Sequence, residues 1–170
     1  MRTTPLCLTY LAAIAAAEAL AAVVGPLWGV AFHFIILFLI ISNSALVGKN
    51  PSYRLLLALG LAPLIRILGL SMPLLEFSQI YWYLFISIPL VAGIFTVIRA
   101  LDLSPQEVGL TRGSILVQGL IALTGIIFGL VEYYILKPEP LILSLGWQEL
   151  VVPALILLVA TGFVEELAFR

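Results

Sequence analysis

Residues 150–170 read LVVPALILLVATGFVEELAFR. The run from Leu150 to Val164 carries no charge, and it ends in Glu165, Glu166 and Arg170. An apolar stretch of this length is a transmembrane helix by composition, and two adjacent carboxylates at its end are costly to hold in lipid. They are therefore expected to face protein or water, and intramembrane or membrane-edge ionisable groups are candidates for function by default.

The rest of the chain has the composition of a membrane protein. Hydrophobic residues make up 63% of it and charged residues 10%, with a mean hydropathy of +1.21. An ordinary soluble domain is about half apolar and about a quarter charged. At about 20 residues per span, the 170 residues accommodate about six helices with short loops and no sizeable soluble domain. The fold class expected is all-α, a polytopic membrane protein whose main partner is the lipid bilayer. The net charge of −1 gives no reason to expect nucleic acid as a partner, and no basic cluster of the kind that recruits anionic lipid stands in the sequence. The single cysteine, Cys7, cannot form an internal disulfide and reads as a small buried apolar residue. With one histidine, His33, a His-rich zinc site cannot be built from this chain alone.

Going back to the N-terminus, Arg2 followed by an Ala-rich apolar run has the outline of a secretory signal. Glu18 interrupts that run and a second apolar segment follows at once, which favours a first transmembrane helix. The segments expected are Leu6–Val24, Leu27–Val47, Leu55–Leu70 with a kink at Pro63, Ile80–Ile98, Ile115–Leu136 and Leu150–Arg170. Gly25-Pro26 breaks the first from the second. Gly48–Ser52, Ser71–Gln79 and Lys137–Glu149 are connections, and Tyr81-Trp82-Tyr83 reads as an aromatic interface belt. The longest polar stretch, Arg99–Ser114, contains Ser104-Pro105-Gln106-Glu107. This is a serine N-cap with proline at the first helical position and glutamate at the third, and it predicts a short interfacial helix closed by Gly109. Residues 1–99 thus hold about four helices, 100–114 a cytoplasmic loop, and 115–170 two further spans. The cationic residues Arg2, Lys49, Arg54, Arg99 and Arg112 fall on one side and Lys137 on the other. Both termini, and with them Glu165 and Glu166, are then expected at the cytoplasmic face.

Three ionisable groups lie inside the first three segments. Counted at 1.5 Å per residue, Glu18, His33 and Arg66 each sit roughly 9 to 11 Å below the outer interface, so complementary groups at one depth can pair. A structural cluster tying three helices together is the expectation; a transporter-like ion path is the functional alternative. Glu132, beside Tyr133 and Tyr134, is expected at the interface.

Glu165 and Glu166 point about 100° apart on a helix, and Arg170 follows Glu166 by four residues, the favourable order for a helical ion pair. That leaves Glu165 to face a cavity and take a proton from water as a general base. Phe163-Val164-Glu165-Glu166-Leu167-Ala168-Phe169-Arg170 resembles the EExxxR first motif of the CPBP family, the CAAX protease and bacteriocin-processing (ABI) membrane peptidases. Leu103 to Leu110 is similar to the short Gly-Leu-ending stretch that often precedes the family core. The resemblance implies an intramembrane endopeptidase acting on peptide or protein substrates, with Glu165 activating water and Glu166 and Arg170 shaping the site. It also implies later FxxxH and HxxxN or HxxxD motifs, and no residue of this sequence follows Arg170. The chain is accordingly expected to be an incomplete member, beginning the peptidase core at 115–170, with no peptidase activity from these residues alone. Family members are often described as metalloproteases, but one carboxylate pair cannot hold zinc by itself, so the cofactor is left open. Compact loops and no organelle-targeting presequence suit a bacterial plasma membrane. The runner-up is a non-enzymatic membrane scaffold or immunity-type protein in which the Glu-Glu-Arg cluster only fixes helix packing.

Overall fold

Gly25 is the first point at which the chain turns back. Its φ of +135° is open to glycine at little cost, and its N–H and that of Val24 close on the Leu20 carbonyl at 3.4 and 2.9 Å. This stops α1 (Thr3–Val23) and sends α2 (Pro26–Val47) back along it. In this computed structural model, which describes residues 3–47, 51–74, 78–137, 140 and 146–169, the chain continues through α3 (Pro51–Leu59), α4 (Leu61–Ser71) and a 3-10 turn at Met72–Leu74. It then forms α5 (Gln79–Ala100), α6 (Ile115–Leu136), α7 (Trp147–Ile156), a π-helical segment Leu157–Phe163, and α8 (Val164–Phe169). Among the described residues there are no strands.

Among the described residues six helical stretches are long and apolar enough to cross a membrane: Pro5–Val23, Pro26–Leu46, Tyr53–Leu74, Gln79–Ala100, Ile115–Leu136 and Trp147–Phe169. The protein is an all-α polytopic membrane protein. Large apolar side chains such as Phe34, Phe38, Ile88 and Phe128 project outward, as the lipid-facing surface of such a bundle requires.

Lipid tails are as apolar as leucine, so burial alone does not hold membrane helices together; close backbone approach and polar bonds do. Both occur here. A Cβ at Gly29 would stand 2.5 Å from Cβ of Ala21, so α1 and α2 meet where glycine is needed. One at Gly93 would stand 2.7 Å from Leu64 Cδ2, which brings α5 against α4. Helix α2 contacts α1, α3 and α4, while α4 also contacts α5, and α5 contacts the whole sixth span. One core gathers Cys7, Tyr10, Ala17, Ile36, Ile40 and Leu56, with Asn43 Nδ2 donating to the Tyr10 hydroxyl at its edge. The second gathers Leu90, Ile94, Val108, Val164 and Leu167, flanked by Leu61, Leu64 and Leu68 of α4. Helix α4 therefore joins the two halves.

The third span begins earlier than the hydropathy pattern predicts, at Pro51 rather than Leu55, and it breaks at Gly60. The break is the one expected of Pro63, whose ring crowds the carbonyl four residues back, at Leu59, the last residue of α3. Likewise the sixth span starts at Trp147 instead of Leu150.

The interfacial helix expected at Ser104–Gly109 is a correction: the chain makes a single turn there. Both of its ends form as anticipated. Ser104 N–H and Oγ–H donate to Glu107 Oε2 at 2.8 Å each, and Glu107 N–H donates back to Ser104 Oγ at 3.3 Å, a capping box. At the other end Leu110 N–H reaches the Pro105 carbonyl at 2.8 Å and Gly109 N–H the Gln106 carbonyl at 3.2 Å. With Gly109 at φ +73°, this is a Schellman closure. The start and stop signals are so close together that nothing is left between them to propagate a helix.

Every residue of α6 is exposed. Among the described residues no other helix packs closely against it.

Candidate functional site

The three ionisable groups expected at one depth do meet. Arg66 of α4 donates through Nε to Glu18 Oε1 and through Nη2 to Glu18 Oε2, the two-pronged geometry that a planar guanidinium offers a carboxylate. His33 of α2 is fully buried, and its Nε2 lies 3.1 Å from Glu18 Oε1. That approach is out of line for a hydrogen bond, and Nδ1 has no partner among the described residues either. Glu18 thus joins α1 to α4 by a charge-assisted fork, with the imidazole of α2 against its other side.

The sixth span sends its two glutamates to different places. Glu165 lines a cavity of about 260 Å³ between α4, α5 and the sixth span, together with Arg66, Tyr83 and Thr161. Its walls are otherwise apolar, with Ile65, Ile86, Leu90, Ala160 and Phe169. The Thr161 hydroxyl is buried and lacks a hydrogen-bond partner among the described residues. Glu166 lines a separate cleft of about 180 Å³ against Val108, Gly109 and Leu110. Arg170, and with it the expected pair to Glu166, lies outside the described residues.

This division follows from backbone geometry. Pro153 inside α7 cannot donate to the carbonyl four residues before it, and the helix then loosens into the π-helical stretch Leu157–Phe163. Such stretches bond i to i+5 and are frequent at functional sites. Each residue gained in this way turns everything downstream by about 100°. Val164 and Leu167 consequently face the core, Glu165 faces α4, and Glu166 faces the Ser104–Leu110 turn.

That turn packs from the loop side. Val108 is buried in the same cluster as Leu167, so the capping box holds the wall of the Glu166 cleft. Outside the membrane-spanning segments, the Ser104 backbone N–H and then its hydroxyl hold the Glu107 carboxyl below the usual carboxylate range, with Arg54 adding to the effect.

Two features escaped the linear sequence. Arg66 was expected only as a partner of Glu18 and His33, yet it also lines the cavity that Glu165 lines; no spacing between α4 and the sixth span could signal this. Arg54 and Arg99, far apart in the chain, share a cleft of about 450 Å³ with Tyr53 and Asp102, where Arg54 Nη2 donates to the Leu101 carbonyl at 3.3 Å.

The donors around Glu165 do not fit a metal of the zinc type. Among the described residues no three of His, Cys, Asp and Glu gather, and a guanidinium shares the cavity, where it would repel a dication. No family model, curated protein or solved structure matches the chain.

Proposed function

We propose that this chain carries the base side of an intramembrane endopeptidase of the CPBP type, with Glu165 as the group that activates water. The observation that carries this is the separation of the two glutamates: Glu165 opens on a cavity with polar donors and apolar walls, while Glu166 turns to a different cleft. A concave apolar pocket with a few convergent polar groups is where a ligand and a reaction are best housed. In the proposed reaction Glu165 takes a proton from water, and the water oxygen adds to the carbonyl carbon of a peptide bond. Collapse of that adduct expels the amine, which receives the proton from Glu165. Glu166 and Arg170 support the base. Loop charges favour a cytoplasmic position for both termini, in a bacterial plasma membrane, with the site inside the bundle at the depth of Arg66.

One observation favours a scaffold instead. The charge-assisted contacts join α1 and α4 and do not converge on Glu165. The two are separated by expressing the gene from its own locus through the natural stop codon and presenting membranes with quenched peptides of apolar sequence. Cleavage that is lost in Glu165→Gln supports the peptidase; cleavage indifferent to Glu165→Gln refutes it. A fully inserted protein that cleaves nothing leaves the scaffold.

A further inference from the structure

Arg66 is held at one side only. Its fork to Glu18 uses Nε and one N–H of Nη2, and a guanidinium carries five N–H donors. Three remain, and Arg66 lines the cavity that Glu165 lines. Thr161 lines the same wall, but its hydroxyl is enclosed and leaves the cavity to Arg66. A cavity whose walls are mostly apolar makes such donors count for more than they would in water.

We infer that Arg66 is the acceptor-binding group of this cavity: it donates to the oxygen of a peptide carbonyl set within an apolar chain, on the side opposite Glu165. This rests on the peptidase reading. When the activated water adds, the carbonyl π pair moves onto that oxygen, and the charge that develops there faces Arg66. Donors aimed at developing charge and fixed beforehand are the usual source of large rate effects. Glu18 fixes them here, with His33 packed behind it. Glu18 is a positioning residue, since the fork decides which N–H groups are left to face the cavity. The intramembrane triad and the terminal glutamate are then two sides of one site with Arg66 as the shared member.

The test compares two probes on the 170-residue chain in lipid nanodiscs. One is an acetylated dileucine amide; the other is its phosphonamidate, in which tetrahedral phosphorus spreads a negative charge over two oxygens. Hydrogen bonds to charged groups predict a preference for the phosphonamidate of about 10- to 100-fold. Arg66→Lys keeps a cation near Glu18 but loses the fork, and the preference falls about tenfold, the size of one such bond. The double variant Glu18→Gln with Arg66→Gln leaves neither charge unpaired, so it should insert, and its preference vanishes. Glu18→Gln alone lowers the ratio of the two affinities, which a merely structural loss would not move. Glu165→Gln retains or increases the preference by removing a repelling carboxylate. Equal affinities in the unaltered protein, no binding of either probe, or a preference that survives the double variant would each overturn the inference. A preference that depends on Arg66, together with no Glu165-dependent cleavage when the gene is expressed from its own locus, would instead remove the peptidase reading and leave Arg66 as a carbonyl-binding group.

Discussion

The Glu18–Arg66 fork should be measurable as a coupling energy. Replacing Glu18 by Gln keeps the shape and one acceptor but removes the charge, leaving Arg66 inside the third span, eight residues from its end at Leu74. Interhelical hydrogen bonds in membranes average about 0.6 kcal/mol with a maximum of about 1.7, so two of them give about 1 to 3 kcal/mol. An arginine stranded at the centre of a span costs about 2.5 to 3.5 kcal/mol. Arg66 keeps 43% of its side-chain surface exposed and is not fully desolvated, so the lower half of that range applies. We expect Glu18→Gln and Arg66→Gln each to cost about 2 kcal/mol and the double variant about 2 rather than 4, a coupling near 2 kcal/mol by the same magnitudes. Reversible unfolding in mixed micelles, driven by raising the fraction of denaturing detergent and followed by helical circular dichroism, measures all four corners of the cycle. A coupling below about 0.5 kcal/mol would show that the fork does not hold the helices, and the positioning of Arg66 would lose its basis.

Four further outcomes follow from particular contacts. His33→Leu should cost less than about 1 kcal/mol in the same unfolding assay, because neither imidazole nitrogen has a hydrogen-bond partner among the described residues and removing an unsatisfied buried polar group offsets the lost packing. Gly29→Ala should destabilise by about 1 to 3 kcal/mol as α1 and α2 are forced apart, whereas Gly125→Ala on α6, with open space around it, should be neutral or stabilising by up to about 1 kcal/mol. Glu107 is depressed by Ser104, so its contribution to the turn is present in full above the ordinary value of 4.5 and disappears as pH falls through the lowered value. The protection of the Ser104 amide, measured against its intrinsic exchange rate at each pH, should therefore fall in acid, and Glu107→Gln should abolish that dependence. Deleting exposed Val159 from the π-helical stretch should be tolerated, since it returns the turn to α geometry without moving the ends; probe binding that needs Arg66 should survive it.

Much of this fold was legible because a membrane imposes simple rules on sequence. Six apolar runs became six spans, and Glu18, His33 and Arg66 could be matched in depth because rise per residue is constant along a helix. What depends on rotation or on contacts across the bundle was hidden. The capping box at Ser104 was readable, but the Schellman closure at Gly109 cut the helix to a turn, and hydropathy does not weigh one signal against another. The pairing of Arg66 with the Glu165 cavity needed α4 to pack beside the sixth span, which no pattern in either segment encodes.

The face presented by the terminal glutamates shows the limit most sharply. Helical periodicity counted from Leu150 assumes 100° at every residue, yet the π-helical stretch Leu157–Phe163 takes up about one residue of that rotation. In an uninterrupted α-helix Val164 would stand where Glu165 now meets the cavity, and Glu165 would take the place of Glu166 beside the Ser104–Leu110 turn. The apolar Val164 would face Arg66, and the carboxylate would be lost from the cavity. Which glutamate lines the cavity is therefore decided by a local loosening after Pro153.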